Sequence, residues 1–113
     1  MRKLFSGFVA AMALMTASTT VSAGPILDDI AKSGELRVCF DAGYMPFEMK
    51  SKNGSYIGFD IDIGKIMARQ MGVKYVPVNT AWDGIIPTLL TGKCHLINAG
   101  MTINAKRNMR VNF

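Results

Sequence analysis

The sequence predicts an α/β fold, a mostly parallel sheet with helices on both faces. Two observations carry that expectation. Strand-like runs alternate with helical ones along the chain, the pattern of crossover units. In addition, residues 58–71, GFDIDIGKIMARQM, read as an extended segment turning into an amphipathic helix. In order, residues 26–33 predict a short helix ended by Gly34, and 36–40 an apolar strand left through the loop 41–46. Residues 47–57 predict a hairpin turning at Lys52-Asn53-Gly54, since Asn-Gly is the strongest short-range hairpin signal. In the helix that follows, Asp60 is placed to cap and Asp62 adds a carboxylate to the first turn. Ile63, Ile66, Met67 and Met71 recur on one face, and Gly72 can close the helix in a left-handed conformation. Residues 73–78 predict a second strand and 82–91 a second helix, with Pro87 an irregularity inside it and Gly92 its stop. A third strand at 95–99 and a short helix at 104–109 follow; Val111-Asn112-Phe113 looks like the start of another strand.

The chain opens on an address. Arg2 and Lys3 precede an apolar run from 4 to 15, and Val21-Ser22-Ala23 offers small residues for cleavage. The run is shorter than the roughly 20 apolar residues a bilayer span needs. Residues 1–23 are therefore expected to be a cleaved signal peptide rather than an anchor, with the periplasm as destination. No cysteine follows the run, which argues against lipid attachment. Residues 24–113 then form one body, and removing Arg2 and Lys3 takes the basic count from 13 to 11 against 8 acids. That modest balance, with no basic cluster interleaved with aromatics, argues against a nucleic-acid partner. Cys39 and Cys94 are the only cysteines. An oxidising compartment invites a disulfide, but mismatched positions on neighbouring strands often exceed the Cα separation of about 7 Å that bridging tolerates. Two buried thiols are expected, with the bridge as the lesser alternative. One histidine and two distant cysteines make no metal site, and no cofactor is expected.

In sheets of this kind ligands lie beyond the carboxyl ends of the strands, so candidate residues should follow Phe40, Val78 and Asn98. They do. After the third strand, Gly100 lets a backbone approach a ligand closely, Thr102 offers a hydroxyl and an N–H, and Arg107 offers a planar fork that matches a carboxylate. The plainer alternative has Thr102 capping a helix and Arg107 on the surface. After the first strand, Asp41 and Tyr44 are candidates, against a capped turn and core packing; Phe47 reads as core and Glu48 as structural. After the second strand, Trp82 offers a face for stacking or for an ammonium group, against ordinary packing.

The string Gly58-Phe59-Asp60-Ile61-Asp62-Ile63 followed by an apolar helix resembles the signature of the bacterial extracellular solute-binding proteins, family 3. These are the periplasmic amino-acid-binding proteins of ABC importers. The resemblance covers residues 26–113, about the first half of the family's length. It implies the N-terminal lobe of a two-lobe, periplasmic-binding-protein-like protein, here a fragment. It also implies a free amino acid as ligand and an inner-membrane ABC permease as partner of the complete protein. In similar proteins an alanine–glycine step, a threonine and then an arginine fall with the spacing of Ala99, Gly100, Thr102 and Arg107. By that resemblance Arg107 holds the α-carboxylate, and the Ala99 and Gly100 backbone shares the α-amino and α-carboxylate contacts. Asp41 becomes a partner for the ammonium group or side chain, with Tyr44 and Trp82 as walls. The Ala99–Gly100 step leans towards a polar, glutamine-like ligand. His95, where similar proteins often carry aspartate, is expected to serve packing or a local hydrogen bond. Capture by hinge closure needs the second lobe, so the chain alone is expected to bind very weakly. Two alternatives on the same fold stay open, a cyclohexadienyl dehydratase-like enzyme acting on a prephenate-like acid and a sensor domain.

Overall fold

The computed structural model describes residues 23–113; the expected signal peptide, but for Ala23, lies outside the described residues. Strands Glu35–Phe40 (β1), Lys74–Asn79 (β4) and Leu96–Ile97 (β5) form a parallel sheet in the order β4-β1-β5. Met49–Lys50 (β2) and Tyr56–Ile57 (β3) pair antiparallel as the expected hairpin. Four α-helices, Pro25–Ser33 (α1), Phe59–Gln70 (α2), Ile85–Leu90 (α3) and Ala105–Asn108 (α4), complete the described fold. The expected α/β architecture is the one observed.

Being central, β1 is covered on both faces, and four of its six residues, Leu36, Val38, Cys39 and Phe40, are buried. Leu36 and Val38 pack with Ile30 of α1 and Ala68 of α2, while Cys39 and Phe40 pack with Ile61, Ile85, Cys94 and Ala99. Each large side chain fully buried this way contributes about 1.5–3 kcal/mol relative to exposure.

Several local expectations are corrected. Asp60 does not cap α2: Gly58 is the N-cap and Phe59 the first helical residue. Gly58 is held at φ +130°, and a Cβ there would stand 2.3 Å from the Phe47 carbonyl oxygen. Only glycine fits that crossing. Asp60 thus falls one turn position inside the helix and points inward. The buried face of α2 is also different, formed by Ile61, Gly64 and Ala68, with Ile66 and Met71 exposed. Small residues face the sheet because the Tyr75 ring fills the space over Gly64, 2.6 Å from where a Cβ would be. Gly72 does close the helix, at φ +69°, with its N–H on Arg69 O and the Val73 N–H on Ala68 O.

The expected 82–91 helix begins as a 3-10 turn, Trp82–Gly84, and becomes α3 only from Ile85. Pro87 is then the third α-helical residue, in the first turn, where a missing N–H costs little. Strand β5 is shorter than the expected 95–99, although the His95 and Asn98 N–H groups still bond to Arg37 O and Cys39 O. Residues 111–113 are not a strand; the Val111 N–H bonds Arg107 O and continues the turn that ends α4.

The two cysteines are not thiols. Cys39 and Cys94 form a disulfide across a Cα separation of 5.7 Å. Cys94 lies in the connection before β5, outside the ladder, so the spacing of paired strand positions does not govern it. His95 next to it has the hydrogen-bonding role expected. Its Nδ1 accepts the Arg37 N–H at 3.0 Å, so its ring proton is on Nε2, 2.8 Å from Asp29 Oδ2.

Candidate functional site

Strands β1, β4 and β5 end side by side, and the loops that leave them enclose a cleft of about 420 Å³. Asp41, Tyr44, Trp82, Ala99, Gly100 and Thr102, all expected from the sequence, line it together with Gly43 and Glu48. The seventh expected residue, Arg107, is not among them, but contacts Trp82 and Thr102, which are.

Asp41 follows β1 directly and ties two loops together. Its Oδ1 accepts the Gly43 N–H and its Oδ2 the Trp82 N–H, each at 3.0 Å. It therefore does form the local turn of the plainer reading, while still facing the cleft with lone pairs to spare. Asn79 at the end of β4 steadies the same loop by accepting the Ala42 N–H at 2.9 Å. Tyr44 is half exposed and lies against Phe47, ring centres 5.2 Å apart. Its edge also meets Gly100, where a Cβ would come within 3.1 Å of Cε1. Glycine at φ +55° thus lets the β5 loop pass close over the tyrosine. Phe47, expected in the core, is 40% exposed, because its aromatic neighbours Tyr44 and Phe59 are themselves exposed.

Beside Trp82, Arg107 is anchored rather than free. Its Nη1 donates to the Thr102 carbonyl at 2.7 Å, and its guanidinium carbon lies 5.5 Å from the centre of the Trp82 ring. The Asn104 side chain fixes the start of α4 by accepting the Arg107 N–H at 2.9 Å, so Asn104, not Thr102, is the cap. The guanidinium is thereby held beside the indole with donors left over, next to Thr102, which lines the cleft.

The floor is formed by Glu48, read from the sequence as structural and not among the expected ligand contacts. Glu48 is fully buried beneath the cleft, and its Oε2 accepts the Asp41 N–H at 2.6 Å. Burial first, and next the neighbouring Asp60 carboxyl, push its carboxyl up to about 8, against the pull of the Asp41 N–H. The only signal in the sequence was an acid beside two apolar residues, in Pro46-Phe47-Glu48, at the mouth of the first loop.

A sheet with helices on both faces and a cleft at the carboxyl ends of its strands is the architecture of a periplasmic-binding-protein-like lobe, and solved structures of that kind superpose on it. The chain belongs to the bacterial extracellular solute-binding proteins, family 3, whose model matches residues 36–113. It is 30% identical to a cyclohexadienyl dehydratase of Pseudomonas aeruginosa over 93% of this chain and 39% of that protein. It is 36% identical to the lysine/arginine/ornithine-binding periplasmic protein of Escherichia coli K12, over 69% of this chain and 30% of that one. Among solved structures, the ancestral cationic amino acid solute-binding protein AncCDT-1 superposes with a TM-score of 0.77 at 53% identity, covering 79% of this chain and 39% of that one. The arginine-bound form of domain 1 from TmArgBP superposes with a TM-score of 0.70 at 43% identity, covering 73% and 65%. The chain thus spans well under half the length of the two curated relatives.

Proposed function

We propose that the chain supplies one wall of a periplasmic amino-acid-binding site serving an ABC importer. The observation that carries this reading is the set of charges gathered at the cleft: a guanidinium beside the Trp82 ring, the Asp41 carboxylate on the Trp82 N–H, and the Glu48 carboxyl at the floor. A free amino acid carries the complementary pair of charges. Arg107 takes the α-carboxylate with two parallel hydrogen bonds, which a lysine cannot match. Thr102 and the backbone of Ala99 and Gly100 complete the α-carboxylate and α-amino contacts, Asp41 meets a cationic group, and Tyr44 and Trp82 cover the apolar part. The complete protein then closes on its ligand and is read by the inner-membrane permease.

The polar, glutamine-like ligand favoured by the Ala99–Gly100 step competes with a cationic one. Asp41 and the acidic floor favour the cationic class, and the lysine, arginine and ornithine named for the relatives support it. We take arginine and lysine as the first ligands to test. Titration of the chain with arginine, lysine and glutamine, followed by amide NMR, is expected to move the Gly100 N–H and the Trp82 indole N–H in the millimolar range. Arg107→Lys is expected to weaken the response about tenfold or more. Unmoved Gly100 and Trp82 signals with all three ligands would sink the reading. Micromolar affinity would instead overturn the expectation that capture needs a second lobe.

A second reading has one observation in its favour. Glu48, raised to about 8 at the cleft, has the acidity of a general acid or base near neutral pH, and a dehydratase is among the relatives. Loss of prephenate on incubation with the protein, abolished in Glu48→Gln, is the result that would move the function to catalysis.

A further inference from the structure

Two carboxyl groups meet beneath the cleft, each with an oxygen that has no partner. Glu48 is fully buried and Asp60 is 8% exposed. Glu48 spends Oε2 on the Asp41 N–H, while Glu48 Oε1 and Asp60 Oδ2 are buried without a hydrogen bond. The Asp60 backbone is pinned on both sides, its N–H to Phe47 O at 3.0 Å and its carbonyl to Asn98 Nδ2 at 2.7 Å. Asp60 Oδ2 also lies 4.0 Å from where a Cβ on Gly100 would stand. The pair therefore underlies both the Asp41 loop and the Gly100 step.

Two ionised carboxylates cannot face each other here, because the interior neither screens their repulsion nor hydrates their oxygens. One proton on Glu48 Oε1, donated to Asp60 Oδ2, satisfies both orphan oxygens and removes one charge. We propose that Glu48 and Asp60 share a single proton and act as a positioning pair, holding the Asp41 backbone and the Gly100 step where the ligand meets them. Only the ligand in this statement rests on the amino-acid-binding reading; the shared proton does not.

The surroundings of the pair give it a direction with pH. Asp41 bears on Glu48 from the loop after β1, Asp60 from α2, and Tyr75 from β4. All three are acidic, and Tyr75 is itself pushed up to about 12, by burial first and then by Glu48 and Asp62. The folded chain therefore keeps a proton on Glu48 that the unfolded chain releases above about 4.5. Stability from this pair is full below that value and falls as pH rises towards about 8.

The experiment is urea unfolding of the full chain, without ligand, from pH 5 to pH 8.5, for the wild type, Glu48→Gln and Asp60→Asn. The glutamine amide reproduces the protonated acid at every pH, its oxygen accepting from Asp41 and its NH₂ donating to Asp60. The wild-type unfolding constant is expected to rise on the order of a hundredfold between pH 5 and 8. Glu48→Gln should lose that rise and exceed the wild type in stability at pH 8, as should Asp60→Asn. Parallel profiles for all three proteins would overturn the proposal. Carbon-13 NMR of the Glu48 carboxyl in the wild type tests it without any variant: a midpoint near 8 supports it, and one in the ordinary carboxylate range overturns it. An arginine titration of Glu48→Ala, with rescue by Glu48→Gln, reads the positioning role. Absence of amino-acid binding in the wild type would defeat the proposed function while the unfolding profiles still judged the proton.

Discussion

The two ends of the sheet treat their acids in opposite ways. Away from the cleft, the Asp29 carboxylate has two nitrogen partners on one oxygen, Arg37 Nη2 at 2.9 Å and His95 Nε2 at 2.8 Å. The same arginine and histidine are joined through their backbones, and α1 is thereby clamped to β1 and β5. At the cleft, Asp41, Glu48 and Asp60 gather around backbone N–H groups and one another, while the guanidinium of that end is turned onto Trp82 and Thr102. One end is satisfied from within the chain, and the other keeps charge that a ligand would complete. Stability is thus built in at one end of the same three strands, and the proposed binding lies at the other.

The largest expected effect removes what both ends share. The Cys39–Cys94 disulfide joins β1 to the connection before β5 and closes a loop of 55 residues in sequence separation. Replacing both cysteines with serine should cost about 4 kcal/mol by the chain-entropy relation, read as a fall in the urea midpoint that a reductant reproduces in the wild type. Next comes pH, which separates the two ends by sign. Rising from pH 5 to 8, the Glu48 pair should weaken the fold by about 3 kcal/mol. At the far end the hydrogen bonds from His95 and then from Arg37 hold Asp29 below its ordinary value of 3.8. A lowered acid contributes stability above the unfolded value and loses it as pH falls through the folded one. Asp29→Asn should therefore abolish a loss of stability seen only below about pH 4 and leave the alkaline limb as it is. If Asp29→Asn changed the alkaline limb instead, the two ends would not be independent.

Much of this was legible, and the reasons for the rest are physical. Alternating strand and helix patterns gave the sheet, and the loops after its strands gave the six expected residues that line the cleft. Local chemistry was read two positions out at Asp60, because the sequence does not reveal that the chain crosses Phe47 at Gly58 and starts the helix there. Once Asp60 is read as a surface cap, its partnership with Glu48 disappears from view. The disulfide was hidden for a related reason, since Cys94 was counted as a ladder residue when it lies in the turn before the ladder. The buried face of α2 was misjudged because Tyr75, eleven residues beyond Gly64, claims the space that a larger side chain would need. In each case the missing information was a contact between segments, not a propensity.

The smallest effect tests how firmly the cleft cation is held. Asn104 caps a helix of four residues, too short to persist without it, and its side chain accepts the N–H of Arg107 itself. Asn104→Ala should cost about 1 kcal/mol, little enough that the fold survives while the start of α4 loosens. Arg107 then loses the backbone anchor that aims it, keeping only the Thr102 carbonyl and the indole face. Trp82 is the one tryptophan of the chain, so its fluorescence reports on that stack directly. A shifted emission with a nearly unchanged unfolding midpoint is the expected result. Unchanged emission would mean that Trp82 and Thr102 hold the guanidinium by themselves. The cation would then be as fully built in as the Asp29–Arg37–His95 cluster, and the contrast between the two ends would narrow to their acids.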